Sequence, residues 1–449
     1  MASKRRVRTK ICDYSPSLRG GLRSSSRRRQ GDCEVDLPHH IILEVLSFLD
    51  TQTIVRGRRL SRAFRTDAPA MVRTLAFRKG MKFPSARRMK DFSNVKQVQL
   101  DGHKRLVNAA AAGLRGAPSL RRLDICLENS IPQQAPLSKT ATKNLCALPL
   151  AELKMRRVEM VFPAQLHMPA WRTLETLMIR DGFICDSSLV NLIESIPPGP
   201  LPMRHLDLSR NLFGEVKGME PFANALWAFP DLRTLYLTAD CISGDGAKLV
   251  LRALLDGACP KLTDLDLSLN FLDDSVLNYL AERLMREGHG LQNLRRLGIG
   301  ARYDPLEPGV TCFHKIGCAL TAGGLPLLDL LHVQGDVGPQ HVSQLLRKLK
   351  LGVCPRLEVL KVERPSHFDP AEDPDFEEDA TEDSVSSMLE LVTSPCVPRL
   401  RQVHVVGMNI SKGLERAEEE RTEFIRAPEQ SSIHRLAKAG SRRGVMVFL

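Results

Sequence analysis

The sequence predicts an α/β solenoid of repeated strand-helix units, preceded by a small all-helical segment. Three observations carry this. First, "LTDLDLSLNFL" (Leu262 to Leu272) recurs as "MRHLDLSRNLF" (Met203 to Phe213), "LRTLYLTADCI" (Leu232 to Ile242) and "LETLMIRDGFI" (Leu174 to Ile184), on the template L-x-x-L-x-L-x-x-N-x-L. Weaker copies start near Val72, Val95, Leu120, Leu150, Leu294, Leu328, Leu357 and Leu400. Most successive starts are 23 to 34 residues apart, a solenoid period. Second, a proline stands two residues before the first leucine at Pro118, Pro230, Pro260, Pro326, Pro355 and Pro398. Proline cannot continue a helix and biases its predecessor toward extended backbone, so each marks a helix-to-strand junction. Third, the apolar spacing changes after each strand from 2 to 3 and 4, as in "GAKLVLRALL" (Gly246 to Leu255), "SVLNYLAERL" (Ser275 to Leu284) and "HVSQLLRKL" (His341 to Leu349), which reads as helix.

Within one unit, template leucines 1, 4 and 6 point inward. The asparagine at position 9 (Asn211, Asn270) is placed to hydrogen-bond the turn backbone. Side chains at position 5 point away from the core. They form the row Asp124, Met178, Asp207, Tyr236, Asp266, Gly298, His332, Lys361 and His404. Asp207, Tyr236 and Asp266 are its most acidic stretch and the candidate target-binding residues, with ordinary solvent-facing positions as the alternative.

These features closely resemble leucine-rich repeats over roughly residues 70–410. A unit near 29 residues with a full helix is similar to the ribonuclease-inhibitor type. The resemblance implies a horseshoe, with parallel strands on the concave face, helices on the convex face and an extended concave binding surface.

The segment "DLPHHIILEVLSFLDTQTIVRGRRLSRAFRTDAP" (residues 36–69) lies outside the period. Seven of the nine positions from Ile41 to Leu49 are apolar, and at about 100° per residue Glu44 and Ser47 point only about 60° apart. Nearly every other direction around this helix is apolar, so one neighbour cannot bury it. Pro38 suits a helix start, where its missing N–H costs nothing. The segment resembles an F-box, through Leu37, Pro38, Ile41, Ile42, Val45, Leu46, Ser47, Phe48, Leu49, Ile54, Leu60, Ser61, Arg62, Phe64 and Arg65. It departs from that pattern at His40, where the family usually has an acid, and at Gly57, Arg58 and Arg59, where apolar residues are usual. The resemblance implies that Leu37, Pro38, Ile41, Ile42, Val45, Leu46 and Leu49 bind a Skp-type adaptor, and through it a cullin, in an SCF ubiquitin ligase. The alternative is an N-terminal cap for the solenoid, because terminal repeats need caps.

Charge is unevenly distributed. The net charge is +12, and residues 1–31 hold ten Lys and Arg against Asp13 alone, so the tail carries +9 and the remainder +3. The pI of about 9.3 therefore describes the tail, and nucleic-acid binding is not expected of the body. The tail reads as disordered. Its "KRRVRTK" and "RRR" stretches suit nuclear import, against a transit peptide or a merely solvated tail. The acidic run "DPAEDPDFEEDATED" (Asp369 to Asp383), within a loop at 365–384, reads as a disordered insertion or a site for a basic substrate. Residues 411–449 form a charged C-terminal segment that includes a solvated helix near 413–427.

No stretch approaches eighteen consecutive apolar residues, and no secretory h-region opens the chain. The eleven cysteines include no CxxC pair and read as reduced thiols. These features point to a soluble, intracellular protein, cytoplasmic and/or nuclear. "CFHKIGC" (Cys312, His314, Cys318) offers three zinc-type ligands and suggests no fourth. No P-loop, dinucleotide fingerprint, HExxH or GxSxG is present, so neither catalysis nor a cofactor or metal is expected. Two functions remain: the substrate-recognition subunit of an SCF-type E3 ubiquitin ligase, or a leucine-rich-repeat protein-binding scaffold or regulator without a ubiquitin link.

Overall fold

The computed structural model describes residues 72–127, 136–162, 168–300, 311–334, 339–352, 354–363, 382–406 and 432–448. The F-box-like positions Leu37, Pro38, Ile41, Ile42, Val45, Leu46 and Leu49 lie outside them, as do the basic tail, residues 413–427 and all but the last two residues of the acidic run. The chain divides into two compact units, Met1–Glu128 and Asn129–Leu449.

In the first unit, β1 (Thr74–Phe77), β2 (Gln97–Gly102) and β3 (Arg122–Leu127) pair in parallel. α1 (Ala86–Met89) and α2 (Lys104–Gly113) connect them. Leu75, Val98, Leu100, Leu123 and Ile125 are buried on one face of this sheet.

The second unit begins with α3 (Lys139–Cys146), β4 (Glu152–Arg156) and β5 (Thr176–Arg180). It continues through α4 (Asp186–Glu194), β6 (His205–Asp207), α5 (Val216–Ala225), β7 (Thr234–Tyr236), α6 (Gly244–Leu255), β8 (Asp264–Asp266), α7 (Asp274–Leu284) and β9 (Arg296–Ile299). It then runs through α8 (Thr311–Thr321), β10 (Leu330–Gln334), α9 (Pro339–Leu351), β11 (Val359–Glu363), α10 (Glu382–Thr393), β12 (Gln402–Val406), α11 (Ser432–Arg443) and β13 (Met446–Phe448). From β4 to β13 each strand pairs in parallel with the next in sequence. A strand whose successor lies parallel beside it needs a crossover connection; an α-helix supplies it at each step from β5 onward, while between β4 and β5 the described residues hold only the 3₁₀ turn Pro169–Arg172.

Every repeat start read from the sequence is followed two residues later by a strand, from Val72 and Thr74 to Leu400 and Gln402. The prolines do the work expected of them. Pro118, Pro230, Pro260, Pro326, Pro355 and Pro398 each occupy the second position of a four-residue turn closed by a main-chain hydrogen bond, such as Leu232 N to Phe229 O at 3.0 Å and Leu262 N to Cys259 O at 3.0 Å. Proline's fixed φ suits that position of a type I or II turn. The strand then starts, with the template leucines buried: Leu232, Leu235 and Leu237, then Leu262, Leu265 and Leu267.

Parallel pairing extends past residue 410. β13 pairs with β12 through Gln402↔Met446 and Val403↔Val447. The guanidinium of Arg443, at the end of α11, donates to Val392 O at 2.7 Å and Val397 O at 3.2 Å. The charged C-terminal segment, read from sequence as carrying a solvated helix near 413–427, thus also supplies a helix at Ser432–Arg443 and a further strand.

Asparagines 211 and 270 hold adjacent units together. Oδ1 of Asn211 accepts from Gly182 N at 3.0 Å and Ile184 N at 3.1 Å, while its Nδ2 donates to Ile179 O at 2.9 Å and to Leu208 O. Asn270 repeats this one step on. Oδ1 accepts from Asp240 N at 2.9 Å and Ile242 N at 3.1 Å, and Nδ2 donates to Leu237 O at 2.6 Å and Leu267 O at 2.9 Å. A buried turn has no water to satisfy these groups, so the amide side chain does so.

Candidate protein-binding face

Because side chains alternate across a strand, the leucines at positions 4 and 6 enter the core and position 5 emerges on the opposite face. The pairing register sets the emerging residues side by side: Met178↔Asp207↔Tyr236↔Asp266↔Gly298↔His332↔Lys361↔His404. The row read from the sequence is therefore one lateral ladder. Lys154 of β4 extends it at one end. Asp124 belongs to the first unit, where it pairs with Gln99.

The three candidate target-binding residues are neighbours but differ in availability. Asp207 is only 5% exposed. Its Oδ2 lies 2.5 Å from Arg180 Nε and its Oδ1 accepts from Ser209 N at 3.1 Å, so this carboxylate is committed within the fold. Tyr236 is half-buried, and among the described residues nothing bonds its hydroxyl. Burial, followed by the nearby Asp264 carboxylate, pushes its phenol above the ordinary 10, which keeps it an O–H donor at neutral pH. Asp266 directs Oδ1 to Ser268 N at 2.9 Å and Ser268 Oγ at 2.6 Å, and no cation among the described residues pairs with it.

The ladder's neighbours were not singled out in the sequence. Asp264, two residues before Asp266 on the same face, accepts from Thr263 Oγ1 at 2.6 Å and lies 3.2 Å from Arg296 Nη1. Lys154 pairs with Glu152. His332 Nε2 lies 3.2 Å from Glu363 Oε2. Lys361 has no partner among the described residues. His404 Nε2 is 3.2 Å from Gln402 Oε1; burial, and then the Lys361 charge, hold its pKa below 6.5, so it is neutral at pH 7. The visible signal for these partners was template positions 3 and 7, which share the face with position 5.

Gly298 gives the ladder its one gap. A Cβ there would fall 2.3 Å from Asp266 Oδ1 and 3.0 Å from Ser268 Oγ, so the Asp266 carboxylate occupies the space that glycine leaves above β9.

At "CFHKIGC", Cys312 is buried and hydrogen-bonded with Asp274, and His314 Nδ1 lies 3.9 Å from Cys318 Sγ one helical turn on. Among the described residues no group of three or more His, Cys, Asp or Glu is arranged to hold a metal ion. No helix among them is long and apolar enough to cross a membrane. The nine described cysteines are free thiols.

No protein-family model matches the chain, and no curated protein matches its sequence.

Proposed function

We propose that the chain is the substrate-recognition subunit of an SCF-type ubiquitin ligase. Its strand-helix units are leucine-rich repeats stacked as a horseshoe, and the F-box-like residues 36–69 dock a Skp-type adaptor. The strand face holds the target, and bond-making chemistry is left to other subunits. The observation that carries the target-binding half is the lateral register Asp207↔Tyr236↔Asp266, which gathers residues from three sequence-distant repeats on one face. A half-buried tyrosine with a free hydroxyl beside an unpaired carboxylate suits a basic side chain, since tyrosines anchor interfaces and carboxylates bind guanidinium groups strongly. Asp207 sets the edge of this patch through Arg180.

The adaptor-binding half rests on the apolar positions Leu37, Ile41, Ile42, Val45, Leu46 and Leu49 with Pro38. Burying one leucine is worth about 1.5–3 kcal/mol, so a handful suffices for tight docking. Capture of the full-length chain by a purified Skp-type adaptor tests this half. Loss of capture on Leu46→Asp and on Leu49→Asp with the repeats still folded supports it. Retained capture by both variants, or no capture of the parent chain, returns the protein to the scaffold reading.

A further inference from the structure

The charges on the strand face of the second unit nearly all pair among themselves. Lys154 meets Glu152, Arg180 meets Asp207 and Arg296 meets Asp264, while Glu363 lies 3.2 Å from His332 Nε2, a buried atom that makes no hydrogen bond among the described residues. Two charges in the position-5 row are left over, and they have opposite signs. Asp266 has no cation and Lys361 has no anion among the described residues. Both are half-buried. A partly desolvated charge with no opposite charge beside it, even one hydrogen-bonded as Asp266 is to Ser268, gains from an oppositely charged ligand.

Their placement fixes what would fit. Asp266 on β8 and Lys361 on β11 occupy the same lateral row, with Gly298 and His332 between them. Three interstrand steps of about 4.8 Å put them roughly 14 Å apart, too far to pair with each other. An extended segment advances about 3.3 Å per residue, so about four residues cover that distance. The Asp266 carboxylate leans into the space above Gly298, on the side toward Lys361. Tyr236 flanks the acidic end with a free hydroxyl, and His404 flanks the basic end in its neutral form.

Taking the strand face as the target-binding surface, as above, we propose that it recognises an extended segment laid across β7 to β12, with a basic side chain over Tyr236 and Asp266 and an anionic side chain about four residues away over Lys361. The recognition element is a charge pair of fixed spacing and not basic character alone.

Fluorescent peptides test this with the full chain. Each carries one Arg and one anionic residue, Glu in one series and phosphoserine in the other, separated by two, four, six or eight positions. Binding is read by anisotropy. The expected result is an optimum at four, about tenfold tighter than at two or eight, the scale of one charge-assisted hydrogen bond. The two series show whether carboxylate or phosphate is the better anion. Lys361→Glu should invert the preference toward a peptide with Arg at both positions, and Lys361→Met should abolish the spacing optimum without that inversion. Removal of residues 369–380 should leave the optimum in place. Affinity independent of spacing, equal binding of the parent chain to the Arg-Arg peptide, or no binding at any spacing overturns the proposal. An optimum seen only after removal of 369–380 also overturns it, because the chain's own acidic run would then be the occupant. Adaptor capture is scored on the same samples: its persistence with a failed spacing series overturns this inference alone, and its absence overturns the receptor reading.

Discussion

The main-chain N–H of Asn211 donates to Oδ1 of Asp240 at 2.7 Å, while Oδ2 of Asp240 is buried with no hydrogen-bond partner. Asp240 stands at the template position that Asn211 and Asn270 occupy in the repeats on either side. In those two the corresponding atom is an NH₂ group that donates to main-chain carbonyls of its own repeat and the one before. By equivalence, Oδ2 of Asp240 faces the carbonyls of Leu208 and Leu237, and only its protonated form can donate to them. Burial raises the Asp240 pKa well above 3.8; the Asn211 N–H lowers it by a smaller amount, and the charge of Asp207 adds to the rise.

Asp240→Asn should therefore stabilise the protein at neutral pH by about 1–2 kcal/mol, since it supplies a buried donor where there is now none. The sign with pH follows from proton binding. The folded state keeps a proton that the unfolded chain releases near 3.8, so stability is lost as pH rises from there through the folded pKa. Urea midpoints of parent and variant should coincide most closely near pH 4 and diverge upward. A gap that does not change with pH would mean that the ionised carboxylate is accommodated.

Asn270 makes the complementary case. Asn270→Ala strips partners from Asp240 N, Ile242 N and two carbonyls, and should cost about 3 kcal/mol or more. Asn270→Asp should cost less near pH 4 than near pH 8, reproducing the behaviour expected at Asp240. Paired denaturation curves at the two pH values check it.

Leu235 and Tyr236 are consecutive and face opposite ways, Leu235 fully buried and Tyr236 half-exposed on the ladder. Leu235→Ala should cost about 2–5 kcal/mol, and Tyr236→Ala about 1 kcal/mol while weakening capture of basic peptides. Comparable losses of stability would put the strand register in error.

Gly298→Ala should move the Asp266 carboxylate, whose Oδ1 a Cβ would approach to 2.3 Å. Affinity for an Arg-bearing peptide should fall severalfold while adaptor capture stays unchanged. Unaltered affinity would show that the position of Asp266 is unimportant.

Thiol reactivity should follow burial. Burial pushes Cys146 and Cys259 up to about 12 and Cys354 up to about 11, whereas Cys185 and Cys241 are exposed. A brief alkylation of the native protein at pH 7.5, mapped by mass spectrometry, should mark Cys185 and Cys241 and spare Cys146 and Cys259. Early labelling of Cys259 would indicate that its repeat opens readily.

Much of this architecture is legible in the sequence because a repeat states its own register. Leucines 262, 265 and 267 and the proline before them fix one strand, and their recurrence fixes its neighbours. The last unit escaped because "GVMVFL" after α11 has no leucine triplet and a basic helix in place of a proline junction. Asp240 escaped because Asp and Asn are nearly the same shape, and only the buried network distinguishes them. The availability of Asp207 escaped for a different reason: its partner Arg180 is 27 residues away, and pairing across strands depends on side-chain reach that a one-dimensional pattern does not carry. Position 5 told which residues emerge, and the ion pairs between rows decide which of them remain free.

Whether the chain is a substrate receptor docked through residues 36–69 is decided by equilibrium binding of the purified full-length protein to a Skp-type adaptor, alongside Leu46→Asp and Leu49→Asp. A stable one-to-one complex is expected with the parent chain and its loss in each variant, because a carboxylate in that apolar ring would be buried unpaired at a cost of several kcal/mol, with circular dichroism of the repeats unchanged. A parent chain that does not bind, or variants that bind as the parent does, would contradict the receptor reading.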